Sequence, residues 1–129
     1  EESEERMLAQ SYREIMRHQA GAVTVIAAGA AGARAGLTAT AVCSLSDDPP
    51  TLLACVNRNA GAHPVIESER VFSINILEGA LASLDCRIEE QHSFSTHTIF
   101  IGRVVDAIVV AQAAPLLYFR GDYWDLGTR

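Results

Sequence analysis

Residues Thr38–Asn59 read TATAVCSLSDDPPTLLACVNRN. Two strand-like runs flank a cluster of Ser, Asp and Pro. The first run, Leu37–Cys43, alternates Thr38 and Thr40 with Ala39 and Ala41, and alternate residues of a strand share one face. The cluster Ser44–Pro50 reads as a turn. Thr51–Val56 follows as a second run, apolar enough to be buried. By pattern alone the stretch is first an ordinary half-exposed Thr-rich strand pair. Its small residues and hydroxyls also suit the close approach of a flat ligand to the backbone.

Outward from this stretch, strands dominate. Upstream, Ala22–Ala28 is β-branched, and GAAGARAG at 29–36 reads as a hairpin turn. Ser3–Arg17 is expected as a helix, with Met7, Leu8, Tyr12, Ile15 and Met16 on one apolar face. Downstream, Asn57–Gly61 is a polar loop, and Ala62–Ser68 is a short helix with Pro64 in its first turn. Further strands are expected at Val71–Leu77, Ala80–Glu90, Thr98–Val110 and Pro115–Arg120, with a short end piece at Tyr123–Leu126. Gly102 marks a bulge or bend in the long strand. Six or seven strands with few helices predict an antiparallel barrel or sandwich, not an α/β sheet.

Bulk properties narrow the classes. The 129 residues suit one domain, with 49% apolar and 20% charged residues. Ten Lys and Arg against sixteen Asp and Glu give a net charge of −6 and no nucleic-acid footprint. No apolar run approaches a membrane span. The acidic N-terminus, EESEERMLAQ, is unlike a secretory signal, and without a starting Met further residues are expected upstream. Cys43, Cys55 and Cys86 are odd in number and widely spaced, which predicts free thiols, neither a disulfide framework nor a metal site, and a reducing cytoplasm. Cys55 and Cys86 are expected to be buried. The Rossmann, P-loop, zincin and α/β-hydrolase motifs are absent from the sequence.

Three features carry possible chemistry. Arg58, in Asn57-Arg58-Asn59, follows a buried run, where an Arg can pair with a phosphate; a solvated loop Arg is the plainer reading. His97 lies in the polar stretch HSFSTHT, where a lone His is usually structural or solvent-facing. Tyr118, Tyr123 and Trp124 read as core or dimer contacts, or as an edge ring that stacks on a ligand. His18, His63 and His92 attract no assignment beyond the chance that His63-Pro64 starts a helix.

Taken in order, YREIMRH, TATAVCSLSDDPPTLLACVNRN, AHPVIE, FSINIL, GALASLDCRIEE, THTIFIGRV and PLLYFRGDY resemble the flavin reductase-like family with the FMN-binding split barrel. They are similar in particular to reductase components of two-component flavin monooxygenases, such as that of 4-hydroxyphenylacetate 3-monooxygenase. The resemblance covers nearly the whole chain. It implies a mainly β, antiparallel split barrel with an N-terminal helix and one or two short helices. It implies a homodimer that binds FMN or FAD at the subunit interface and reduces it with NADH or NADPH for a partner monooxygenase. Carried over, Thr38, Ala39, Thr40, Ala41, Val42 and Ser44 would line the isoalloxazine and ribityl chain. Asn57, Arg58, Asn59 and Ala60 would meet the ribityl and phosphate end. His97 matches the His of the family's G-x-H-x-x-[FY] stretch, on the nicotinamide side, and Tyr123 matches an aromatic near the site.

The chain departs from that pattern at four positions or junctions. Asn59 and Gly61 stand where the family often has Ser, and Ser95 stands where it often has Gly. Relatives also carry a longer stretch between the counterparts of FSINIL and GALASL, with a helix that covers the flavin. The expectation is a single domain over 1–129 whose intact form carries a mobile segment near 77–79. The competing readings are a non-catalytic flavin-binding module and a pyridoxamine-phosphate-oxidase-like barrel with another cofactor.

Overall fold

The expected strand over Leu37–Cys43 is two strands, and this break shapes the whole molecule. The computed structural model describes residues 2–19, 21–30, 32–76, 82–109, 116–119 and 122–125, with positions 2, 22, 116–119 and 122–125 described by backbone alone. In chain order the elements are α1 (Glu2–Met16), β1 (Gly21–Ala22), β2 (Thr24–Ala28), β3 (Ala35–Ala39), β4 (Val42–Asp47), β5 (Pro50–Asn57), α2 (His63–Glu69), β6 (Val71–Ile76), β7 (Ala82–Phe94), β8 (His97–Val109), β9 (Leu116–Phe119) and β10 (Asp122–Asp125). None of the described helices is long and apolar enough to cross a membrane. The junction at 77–79 lies outside the described residues.

Seven strands form one antiparallel sheet in the order β3-β2-β6-β7-β8-β5-β4. Its two edges, β3 and β4, are consecutive in sequence and joined through Thr40 and Ala41. Ala39 and Val42 are therefore at most about 11 Å apart, at 3.80 Å per Cα step. A flat seven-stranded sheet would hold its edges roughly 29 Å apart, at about 4.8 Å per strand. The sheet must curl until its edges meet at this link, leaving a barrel split between β3 and β4. Beyond Val42, the Ala41 carbonyl still accepts the Cys55 N–H at 2.9 Å.

The Ser44–Pro50 segment also departs from its expected turn. Ser44, Ser46 and Asp47 pair with Leu52, Thr51 and Pro50, and the turn shrinks to Asp48 and Pro49. The ladder tolerates these residues because β4 is an exposed edge and Pro50 opens its strand, where a missing N–H is harmless. The expected Ala22–Ala28 strand likewise divides. Gly21 and Ala22 join β9 in a second sheet, β1-β9-β10, while Thr24 starts β2.

The core follows period-2 alternation. Leu52, Ala54 and Val56 of β5 point inward with Ile26, Phe72, Ile74, Cys86, Ile88 and Phe100. Helix α2 closes one barrel end, with Ala62 and Ile66 buried in the same cluster. At the other end a cavity of about 560 Å³ opens, lined by Val42, Ser44, Leu52, Ile74, Leu84 and Val104 among others. Gly102 is where β8 gives way to the core. A Cβ there would sit 2.7 Å from Phe72 Cζ and 2.9 Å from Cys86 Cβ. The predicted irregularity lies opposite it, as a register shift between Ile88 and Glu90 of β7.

Candidate functional site

The β7–β8 hairpin closes on the pair Phe94↔His97, with Ser95 and Thr96 as its turn. Ser95 has φ +53°, a left-handed conformation that glycine adopts without steric cost. The Gly that the resemblance implies at this position would carry no such strain. Ser95→Gly is expected to raise stability by about 0.5 kcal/mol, because relief of the left-handed strain, ~1–2 kcal/mol, outweighs the added unfolded-state entropy of glycine. The urea midpoint reads this, and a lower midpoint than wild type contradicts it.

His97 is exposed, and its Nδ1 is hydrogen-bonded to Thr96 Oγ1 at 2.8 Å. Among the described residues Nε2 has no hydrogen-bond partner, which leaves it for a ligand. In the β5–β8 ladder His97 pairs with Asn57, so the two side chains share the outer face. Asn57 starts a tight turn: its Oδ1 accepts the Asn59 N–H at 2.8 Å, and its carbonyl accepts the Ala60 N–H at 3.0 Å. The Arg58 N–H donates to the Thr96 carbonyl at 2.9 Å, and its guanidinium Nη2 donates to the Ser95 carbonyl. The turn from Asn57 to Ala60 and the His97 hairpin are thus one tied unit. A guanidinium carries five N–H donors, so Arg58 keeps donors for an anion after holding the hairpin.

His63 belongs to the support of this unit, which its sequence reading missed. It does open α2, but it is also buried, and its Nε2 is hydrogen-bonded to Thr98 Oγ1 at 2.8 Å. Thr98 is fully buried and lies 3.3 Å from Ser93 Oγ. The His63 ring packs on Phe100, centroids 5.5 Å apart. The available signal was Thr98 itself: an inward hydroxyl in an apolar strand needs a partner.

The Thr38–Ser44 residues do not share one surface. Thr38 is exposed and pairs with Val25, while Ala39 lies on the inner side of β3 and its carbonyl accepts the Thr24 hydroxyl at 2.9 Å. Thr40 covers Gly21, where an added Cβ would be 3.0 Å from Thr40 Cβ. Thr40 and Ala41 line a cavity of about 530 Å³ with Tyr12, Arg13 and Met16 of α1 and with Arg17 just beyond it. Val42 and Ser44 instead line the barrel mouth. Tyr123 pairs through its backbone with Tyr118, which pairs with Gly21; the small sheet therefore adjoins Thr40, and the Tyr123 side chain lies outside the described residues.

The three thiols are free. Cys86 is buried as expected, and burial, aided by the Asp85 carboxylate, pushes its thiol up to about 11. Cys55 is half-buried; burial first and neighbouring Cys43 second raise its thiol. Cys55 and Cys86 therefore stay protonated at neutral pH and are poor nucleophiles.

Known proteins match this arrangement. An FMN reductase (NADH) RutF of Agrobacterium fabrum is 37% identical, covering 87% of this chain and 85% of its own length. The 4-hydroxyphenylacetate 3-monooxygenase reductase component of Pseudomonas aeruginosa is 32% identical, covering 85% and 87%. The solved structure of flavin reductase PheA2 superposes with a TM-score of 0.83 at 26% identity, over 91% of this chain and 97% of that one. The family model described as flavin reductase like domain matches residues 16–78 and 76–127, two pieces that meet at the 77–79 junction. On these matches, and on a barrel split at Thr40–Ala41, the chain belongs to the flavin reductase-like family.

Proposed function

We propose that this chain is an NAD(P)H-dependent flavin reductase that delivers reduced FMN or FAD to a partner flavin monooxygenase. The observation that carries the reading is the tied unit of Asn57, Arg58 and His97. It sets a phosphate-suited turn beside an imidazole at adjoining strand ends. The residues present fit a flavin. Arg58 and the exposed Asn57 and Asn59 offer donors to a phosphate and ribityl chain, and Thr40 and Ala41 face a cavity wide enough for a fused ring. The names of the relatives support the same activity.

Flavin, when bound, would supply the acceptor for a hydride from the reduced nicotinamide. The chain's part would be to bring the two rings together and exclude water; hydride transfer needs no acid–base pair, since the reactive chemistry would be the cofactors' own. His97 orients the nicotinamide. His97→Ala is expected to raise the NADH KM about threefold to tenfold, the scale of one lost hydrogen bond, with a smaller change in kcat. Steady-state kinetics with KM and kcat both unchanged would remove that role.

A homodimer completes the site in this reading. Met7, Leu8, Tyr12 and Ile15 of α1 are exposed, and Tyr12 borders the Thr40–Ala41 cavity. A second copy covering this face would shelter the flavin. The free thiols suit a reducing cytoplasm. The intact protein's extra segment near 77–79 is part of the proposal, supported by the two-piece family match.

The test is direct. Purified protein is mixed with NADH or NADPH and free FMN or FAD, and the nicotinamide absorbance is followed. Oxidation dependent on flavin supports the reductase. No oxidation with any pair, together with flavin binding, leaves a non-catalytic binding module in its place.

A further inference from the structure

An aromatic ring standing in water beside the site has no role in the reading above. Phe94 is 78% exposed. It is the register partner of His97, and His97 is the register partner of Asn57. Directly paired residues share a face, with Cβ atoms about 4.5–5.5 Å apart. Phe94, His97 and Asn57 therefore form a row across β7, β8 and β5, spanning roughly 10 Å at two strand spacings. The row lies on the outer face, since their neighbours Val56 and Thr98 point into the core.

The order along this row bears on where a hydride donor would lie. The flavin segment lies on β4 and the β3–β4 link, the phosphate turn at the end of β5, and His97 on β8. With its nicotinamide on the flavin beside His97, the rest of the donor has β7 to run over, and Phe94 is the exposed ring there. We propose that Phe94 is a stacking platform for the purine ring of the dinucleotide donor. The inference rests on the reductase reading. An aromatic face accepts any base by stacking, and the benzyl ring gains by leaving water.

The experiment compares two donors with saturating FMN: NADH, and reduced nicotinamide mononucleotide, which carries the nicotinamide without the adenylate. Phe94→Ala should lower kcat/KM for NADH about tenfold, on the scale of one base–aromatic stack. It should leave the mononucleotide unchanged, which also serves as the check that the variant is folded. Phe94→Tyr should retain most of the NADH value. An equal loss with both donors, or no loss with NADH, overturns the proposal. A wild type that oxidises neither donor removes the reductase reading and this one together. An active wild type with an unaffected Phe94→Ala removes this one alone.

Discussion

Arg58→Ala is expected to raise the KM for FMN about tenfold to a hundredfold, while the KM for riboflavin changes little. The difference between the two flavins is the phosphate. Charge-assisted hydrogen bonds contribute about 1.5–3 kcal/mol each, and 1.4 kcal/mol is a factor of ten. Arg58 has a second duty, since its guanidinium and its backbone N–H hold the carbonyls of Ser95 and Thr96. The substitution removes only the first of these bonds, because alanine keeps its N–H. Initial rates with both flavins separate the duties. If FMN and riboflavin lose equally, Arg58 acts through the hairpin, and the phosphate lies elsewhere.

Phe100→Ala is the largest structural effect anticipated. Phe100 is 1% exposed and sits between His63 and Phe72, with ring centroids 5.5 and 6.4 Å away. Truncating such a ring costs about 3–5 kcal/mol, a large share of the ~5–15 kcal/mol that holds a domain together. The neighbouring backbone cannot close the gap, because β8 is hydrogen-bonded on both sides, to β5 and to β7. Equilibrium urea unfolding measures the loss. A change below about 1 kcal/mol would mean that the ring is not packed as described. Phe94, on the same strand pair but in water, provides the contrast: Phe94→Ala should move stability by less than about 0.5 kcal/mol.

Much of the fold was legible because it depends on neighbours in the chain. The apolar spacing of α1 brought its bounds within a residue of Glu2–Met16. The small residues of GAAGARAG announced the β2–β3 hairpin, where Gly29 and Gly32 take φ of +104° and +88°. The paired runs of β5 and β8 were plain from their β-branched and apolar residues. The same local rules failed where a distant partner decides. The alternation of Thr and Ala passes unbroken through Thr40 and Ala41, so nothing local marks the strand break. Polar Ser44 and Ser46 looked like a turn, yet an exposed edge strand takes such residues at no cost.

The site divides in the same way. Asn57, Arg58 and His97 attracted notice as residue types, and as positions in a family pattern. Their separation in sequence says nothing of their contact; the β5–β8 register does. His63 and Phe94 carried no local sign, because their meaning lies in Thr98 and His97, their partners across space.

By itself, then, the sequence determined the strands as local objects, an antiparallel barrel or sandwich, and the family pattern from Thr38 to Asn59. Each depends on period, turn chemistry and residue order, which the chain carries in one dimension. Only the tertiary structure decided that Thr40–Ala41 joins two sheet edges, and which Thr38–Ser44 residues face which cavity. Sheet closure is a condition on all seven strands at once: their summed curvature must bring β3 and β4 within reach of a two-residue link.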